Sequence, residues 1–218
     1  MGYPAFITLP YGTHKTGLPS FEPAEGDIRY PQSLVRYFLE QHTAPGDRVF
    51  DPFAGLGTTM FVAESMKRIP YGIEFEVDRH EWVAGQMENW RNLIRGDSHS
   101  IKRYDLPKMD FSITSPPFMH AFEKWNPLCR GNPYETGYKK YLGHLRRIYG
   151  GIKKVMKKDS LIVLQIDNLE HRRGYTPLVR DIGTTLSNIL EPIGETIIAW
   201  DGGPAEYRHT QCLLFRID

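Results

Sequence analysis

Three short stretches of the chain carry residue types that can do chemistry together. The first is Asp51-Pro52-Phe53-Ala54-Gly55-Leu56-Gly57-Thr58-Thr59, which follows a short apolar run and opens a helical pattern. Glycines at such a turn let the backbone come close to a ligand, and the following helix N-terminus favours the ligand's negative end. Alone, the turn also fits a plain strand-to-helix connection. The second stretch is a pair of carboxylates. Glu74 closes the next strand, about twenty residues beyond the glycine turn, where an acid can accept hydrogen bonds from two vicinal ribose hydroxyls. Asp97, in Gly96-Asp97-Ser98, follows a further short strand and can meet an adenine amino group. Each acid alone also fits an ordinary strand end or turn. Together with the glycine turn they outline an adenosine pocket along the carboxyl edge of a parallel sheet.

The third stretch, Thr114-Ser115-Pro116-Pro117-Phe118, decides the reaction. Two prolines stop the strand and stiffen the corner. Pro116 lacks an N–H but keeps its carbonyl, and Ser115 sets a hydroxyl beside it. Such acceptors can hold an amino group through both hydrogens and turn its nitrogen lone pair toward a methyl donor. Phe118 offers a flat apolar face for a base. The tetrapeptide alone fits a rigid loop. One strand beyond an adenosine pocket, it predicts amino-group chemistry.

An alternation of strands and helices must hold these stretches. Strands are expected at Arg48 to Asp51, Tyr71 to Glu74, Leu93 to Arg95, Asp110 to Thr114, Leu161 to Ile166, Glu195 to Trp200 and Gln211 to Ile217. The run Leu161 to Ile166 is apolar apart from Gln165, as a strand buried on both faces should be. Helices are expected at Pro31 to Gln41, Thr58 to Lys67, Asp78 to about Asn92, Tyr138 to Val155 and Pro177 to Leu190. Asp78 is the expected cap of its helix. The pattern predicts an α/β sheet covered on both faces. Residues 1–28, rich in Pro, Gly and Thr, read as an irregular arm, and 29–218 as one catalytic domain.

Composition narrows the setting. The chain has 218 residues, 40% hydrophobic and 12% aromatic, which suits one globular domain. A net charge of +1 exerts no global pull on polyanions, so any nucleic-acid affinity must come from local patches. Cys129 and Cys212 have neither CxxC spacing nor histidines at ligand spacing, so no disulfide framework or metal site is indicated. No apolar run approaches membrane-spanning length, and the start lacks a basic and then apolar leader. A cytoplasmic setting is expected.

The glycine turn and the Ser-Pro-Pro-Phe corner together resemble the S-adenosylmethionine-dependent amino-methyltransferases of DNA restriction–modification systems. Arg29 to Asp51, with its Tyr-Pro pair before a helix, and the closing stretch Arg208 to Arg216 resemble flanking segments of that family. The resemblance covers roughly 28–217. It implies a Rossmann-like class I methyltransferase: a seven-stranded, mostly parallel sheet with one antiparallel strand and helices on both faces. It implies a cofactor site formed by Asp51, Phe53, Ala54, Gly55, Gly57, Thr58 and Thr59, with Phe53, Gly55 and Gly57 along the methionine part, Glu74 at the ribose and Asp97 at the adenine. Ser115, Pro116, Pro117 and Phe118 would hold the target base. The serine form resembles cytosine-N4 enzymes, whereas Asn or Asp in its place is commoner in adenine-N6 enzymes. Direct attack by the amino nitrogen needs no covalent intermediate. Cytosine-C5 chemistry needs an activated cysteine, and neither cysteine has that setting.

The chain departs from the family in having little room for a separate target-recognition region. Three loops are candidates to share that work: Met119 to Gly137, Asn168 to Thr176 and Asp201 to Thr210. The first carries His120, Phe122, Lys124, Trp125 and Arg130, the second His171, Arg172 and Arg173. Cations mixed with aromatics suit unstacked bases, although the same residues fit a solvated loop. Basic residues from Lys139 to Lys154 fit a solvated helix face better than a phosphate track. The expected partner is therefore nucleic acid: DNA first, ribosomal or other structured RNA as the alternative. Besides a DNA adenine-N6 methyltransferase, three further readings stay open. One is a small-molecule methyltransferase. Another is a nicotinamide oxidoreductase, weakened by Met60 at the third glycine of that fingerprint. The last is a non-catalytic binding module.

Overall fold

In a computed structural model, the described residues are 3–12, 29–203 and 207–218. Strand β1 (Phe6–Pro10) leads to helix α1 (Gln32–His42), then β2 (Arg48–Asp51), α2 (Thr58–Ser65), β3 (Ile69–Glu74), α3 (Val77–Ala84), β4 (Leu93–Arg95) and β5 (Met109–Thr114). After a long loop come α4 (Tyr138–Val155), β6 (Met156–Ile166), a hairpin of β7 (Leu169–His171) and β8 (Gly174–Thr176), α5 (Leu178–Leu186), β9 (Glu191–Asp201) and β10 (His209–Arg216). The main sheet has eight strands in the order β1-β9-β10-β6-β5-β2-β3-β4, and the hairpin forms its own two-stranded sheet. Within the main sheet β10 alone runs antiparallel to its neighbours.

Seven of these strands correspond to the expected methyltransferase sheet. The eighth corrects two expectations, the strand count and the wholly irregular arm. Residues 6–10 pair in parallel with Ile197 to Asp201 of β9. Five half-exposed residues at a sheet edge give almost no hydrophobic signature, and Pro10 is tolerated there because an edge strand need not donate outward. Most of the rest of the arm, 13–28, lies outside the described residues, as does part of the third candidate loop, 204–206.

Alternation along the strands builds two cores. On β6, Ile162, Leu164 and Ile166 pack with Tyr141, Leu145, Ile148 and Ile152 of α4 and with α5, while Leu161 and Val163 face the opposite way. There they meet Leu34, Val35, Phe38 and Leu39 of α1. Burial on both faces explains the unbroken apolar run of the strand. Each of these fully buried side chains contributes about 1.5–3 kcal/mol relative to exposure.

Three helix ends differ from expectation. Helix α3 stops at Ala84 with Gly85 as its C-cap, and a separate turn of 3₁₀ helix covers Trp90–Asn92. Its N-cap is Glu76, so Asp78 sits in the first turn, where its charge suits the helix dipole, instead of capping. Helix α2 ends early because Lys67 adopts positive φ, 62°, which closes the helix as an αL residue. Helix α5 ends at Leu186.

Candidate active site

The carboxyl ends of β2, β3, β5 and β6 open onto a cavity of about 770 Å³. Sites for small molecules usually fall between about 300 and 1,000 Å³. Phe53, Ala54, Gly55, Thr58, Glu74 and Asp97 line it from one side, and Ser115, Pro116, Pro117 and Phe118 from the other. The glycine turn and the proline corner thus face one space.

Three residues of the predicted cofactor set stand behind the wall. Asp51 is buried, and its Oδ1 accepts from the Phe53 N–H at 3.0 Å and the Thr114 hydroxyl at 2.6 Å. Those bonds tie the end of β2 to the end of β5, and so tie the turn to the strand that delivers Ser115. Burial without a cation pushes the Asp51 carboxyl up, against the pull of its hydrogen bonds. Thr59 contacts the Tyr30 hydroxyl and donates to the Ile113 carbonyl at 3.3 Å. Gly57 has φ 77°, and an added Cβ would lie 2.8 Å from Val83 Cγ1 and 2.9 Å from Phe61 Cε2. That glycine is required by backbone and packing rather than by a ligand.

Glu74 ends β3 pointing into the cavity. Its Oε2 accepts from the Gly55 N–H at 2.6 Å and its Oε1 from the Glu76 N–H at 2.8 Å. An ionised carboxylate has about four acceptor positions, so two remain for vicinal hydroxyls. Burial raises its pKa, and the two N–H groups and Arg79 oppose that rise. Phe75, 58% exposed, adds a flat face to the same wall. The Thr58 hydroxyl is buried with no partner among the described residues, at the N-terminus of α2 and on the cavity wall.

Asp97 has a double engagement. Its Oδ1 caps the 3₁₀ turn Ser98–Arg103 by accepting from the His99 N–H at 2.8 Å, and it takes the His99 Nδ1 at 2.8 Å. Its Oδ2 forms an ion pair with Arg130 but no aligned hydrogen bond among the described residues. Burial alone would raise this carboxyl, yet the His99 bonds and the Arg130 charge outweigh it and hold the pKa down. The main chain of Asp97 is pinned by Tyr104, whose hydroxyl accepts from its N–H at 2.8 Å and donates to its carbonyl at 3.1 Å.

On the target side, the Tyr141 hydroxyl donates to the Pro117 carbonyl at 2.9 Å, which braces the corner from below and leaves Ser115 and Pro116 as the acceptors to consider. The register pairs Thr114 with Leu164, so the strand end beyond it brings Gln165 and Asp167 to the wall. The Gln165 amide reaches Asp167 Oδ2 at 2.9 Å, the Tyr207 hydroxyl at 3.2 Å and Thr210 Oγ1 at 2.5 Å, and Tyr207 donates to Asp167 at 3.1 Å. Burial raises the Asp167 pKa against those bonds. Tyr11 closes this end, edge-on to Tyr207 at 5.8 Å. None of these four lining residues, Tyr11, Gln165, Asp167 and Tyr207, was among the expected site residues. The polar Gln165 inside an apolar strand and the candidate loop Asp201 to Thr210, which contains Tyr207, were the hints at them.

The six residues assigned to nucleic acid divide. Arg130 lines the cavity and pairs with Asp97. His120, Lys124, Trp125, Arg172 and Arg173 lie outside the lining. His120 stacks on Phe122 at 4.7 Å, the Arg173 guanidinium lies 4.4 Å over the same ring, and His171 leans on it at 5.2 Å. The Ala121 N–H donates to buried Thr176 Oγ1 at 2.9 Å, joining this loop to the β7–β8 hairpin. Trp125 is 62% exposed. Lys153 of the basic helix is occupied by the Ile189 carbonyl and Asp218. Both cysteines are buried, Cys212 with its thiol pKa pushed up by burial. Among the described residues no group of His, Cys, Asp and Glu could hold a metal ion, and no helix is long and apolar enough to cross a membrane.

Residues 11–84 match the DNA methylase model for N6 and N4 enzymes. A stretch of 48 residues is 42% identical to the type II methyltransferase M.BglII of Bacillus subtilis, covering 22% of this chain and 13% of that protein. The fold is similar to that of TrmN from Thermus thermophilus, with TM-score 0.62 and 16% identity over 90% of this chain and 51% of that one. It is also similar to precorrin-6y C5,15-methyltransferase from Geobacter metallireducens, with TM-score 0.57 and 13% identity over 91% and 94% of the two chains. At these identities the two structures show the class I methyltransferase fold. The family match and the fold imply S-adenosylmethionine as cofactor, and the orphaned Thr58 hydroxyl, the two open positions of Glu74 and the cavity's size fit that group. The segment 11–84, which carries the glycine turn and Glu74, is thus similar to DNA methylases, and the chain spans 13% of the length of the Bacillus enzyme it matches in part.

Proposed function

We propose that this protein methylates the exocyclic amino group of a nucleic-acid base, with cytosine N4 in DNA as its target. The observation that carries this reading is the shared cavity: the Ser115–Phe118 corner faces the same space as the glycine turn and Glu74. S-adenosylmethionine supplies an electrophilic methyl group on a sulfonium. The residues of the chain bind, orient and take up a proton. Ser115 Oγ and the Pro116 carbonyl accept the two amino hydrogens and so aim the nitrogen lone pair. Phe118 and the aromatic end at Tyr11 and Tyr207 flank the base. An amino nitrogen that gained a methyl group here would also have to give up one proton. We assign that proton to Asp167, the carboxylate of the wall beside the corner, whose raised pKa suits a proton acceptor.

A base inside a duplex must be extruded to reach this corner. The aromatic and cationic cluster of His120, Phe122, His171 and Arg173 suits the nucleotides beside an extruded base. Structured RNA is the second reading. It is favoured by the shortness of the target-side elements, a loop and a three-residue-stranded hairpin, which offer little surface for reading a duplex. Incubation with tritiated cofactor separates the readings. Label in DNA is expected, whereas label in ribosomal RNA but not DNA reverses the order.

A further inference from the structure

A row of four hydrogen-bonded side chains, running from the cavity wall through buried His144 to half-exposed Glu135, has no part in the chemistry above. Asp97 Oδ1 takes the His99 Nδ1 at 2.8 Å. His99 Nε2 meets His144 Nδ1 at 2.5 Å, with the rings nearly perpendicular at 86°. His144 Nε2 meets Glu135 Oε2 at 3.1 Å. His144, on α4, is 3% exposed, while His99 lines the cavity.

Counting hydrogens constrains this row. Its two ends are carboxylates, which accept and do not donate when ionised. Both are held ionised. At Asp97 the His99 bonds and Arg130 outweigh burial, and at Glu135 Lys140, His144 and Arg147 outweigh it. Three links therefore need three hydrogens, all from the ring nitrogens. Two neutral imidazoles carry only two. With four hydrogens, two N–H groups would point at each other across 2.5 Å. The complete row holds one proton beyond two neutral rings, shared as a single positive charge between flanking carboxylates.

We propose that His144, acting through His99, is a positioning residue that holds Asp97 in the cofactor cavity and ties it, by one shared proton, to the loop bearing Arg130 and Glu135. The proposal rests on reading the cavity as the cofactor's site. The loop is well placed to be steadied this way. Asn126, fully buried, donates to the Glu135 carbonyl at 2.9 Å, and Pro127, Leu128 and Arg130 form the cavity wall between them. Arg130 and Gly131 turn the loop toward Asp97 with φ of 57° and 76°.

The charges facing the row set the direction of its pH dependence. Arg130 faces Asp97 from the loop, and Lys140 reaches Glu135 from α4 at 3.6 Å. Burial pulls the His144 pKa below the ordinary imidazole range, the His99 and Arg147 charges add to that, and Glu135 opposes it. The proton is thus present at low pH and lost as pH rises through that lowered value. When it leaves, the 2.5 Å contact between rings keeps its hydrogen, because two lone pairs cannot face each other so closely. Of the two carboxylate links, the longer and more exposed one, to Glu135 at 3.1 Å against 2.8 Å at Asp97, is the one released.

The test is imidazole nitrogen NMR of the whole protein, with cofactor affinity by calorimetry from about pH 5 to pH 8.5. The row should take up one proton in all, and affinity should rise about three- to tenfold as it does. In Glu135→Gln the amide oxygen still accepts but carries no charge, so the midpoint should fall by about one pH unit in a folded protein. In His144→Gln the affinity should no longer follow that step. Two independent ring titrations, or a Glu135→Gln variant with an unmoved midpoint, overturns the proposal. An affinity that ignores the step in the native protein does so too. Failure to bind cofactor at any pH instead sinks the underlying reading of the cavity, while the proton count still judges the row.

Discussion

The two sides of the cavity are built in different ways. The proposed cofactor side, 48–97, is local and held by backbone. Glu74 is gripped by the N–H groups of Gly55 and Glu76, Asp51 by the N–H of Phe53, and Gly57 is locked by its neighbours Val83 and Phe61. The target side is assembled from distant parts of the chain. Ser115 follows β5, Gln165 and Asp167 sit at and just past the end of β6, Tyr207 precedes β10 and Tyr11 follows β1. Side chains bonded to other side chains, such as Gln165 to Tyr207 and Thr210, hold this half together. A pocket for an invariant small molecule can be written into one turn and two strand ends. On the proposed reading, a pocket for a base within a polymer has to be open to exchange, and it uses pieces that only the sheet topology brings together.

Mutations that act on one side should leave the other intact. Gly57→Ala attacks the cofactor side's frame, since it places a Cβ in a left-handed backbone position against Val83 and Phe61. A loss of about 2–4 kcal/mol of folding stability is expected in urea titration, from αL strain plus overpacking. A native midpoint would mean that the turn is looser than described. Ser115→Ala attacks the target side. Turnover should fall about 100-fold with cofactor affinity unchanged in calorimetry, because misplacing the amino group costs reaction rate rather than cofactor binding. Equal losses in both would merge the two sides. Glu74→Ala is the mirror experiment. Cofactor binding should weaken by about 1–3 kcal/mol as buried ribose hydroxyls lose their acceptor, with nucleic-acid affinity in the absence of cofactor unchanged. Phe122→Ala should have the smallest effect, about 1 kcal/mol in oligonucleotide affinity by fluorescence anisotropy and none in cofactor affinity. An unaltered oligonucleotide affinity would remove the cluster around that ring from the nucleic-acid surface.

The same contrast explains what could be read from residues alone. Helix α4 was legible end to end because its apolar repeat is long and unbroken, and strand β6 because an apolar run this continuous has few other homes. The eighth strand was not, because Phe6–Pro10 is short, half exposed and paired at an edge with residues almost two hundred positions away. The glycine turn, Glu74 and the proline corner could be grouped from their local residue types, and the structure brings them to one cavity. Asp167 was not legible, and Tyr207 entered only as part of the candidate loop Asp201 to Thr210, because it is the pairing of β10 with β6 that joins the two. Arg130 read as a nucleic-acid contact in a loop of cations and aromatics suited to unstacked bases. Its ion pair with Asp97 follows from a chain reversal that composition does not encode.

Mass spectrometry of nucleosides, after incubating the protein with DNA, RNA and deuteromethyl-labelled cofactor, reports atom, base and polymer at once. The account predicts the labelled methyl on the N4 nitrogen of deoxycytidine. Label on a ring carbon such as cytosine C5, or no labelled nucleoside from either polymer while cofactor binds, would contradict an amino group held at the Ser115–Phe118 corner.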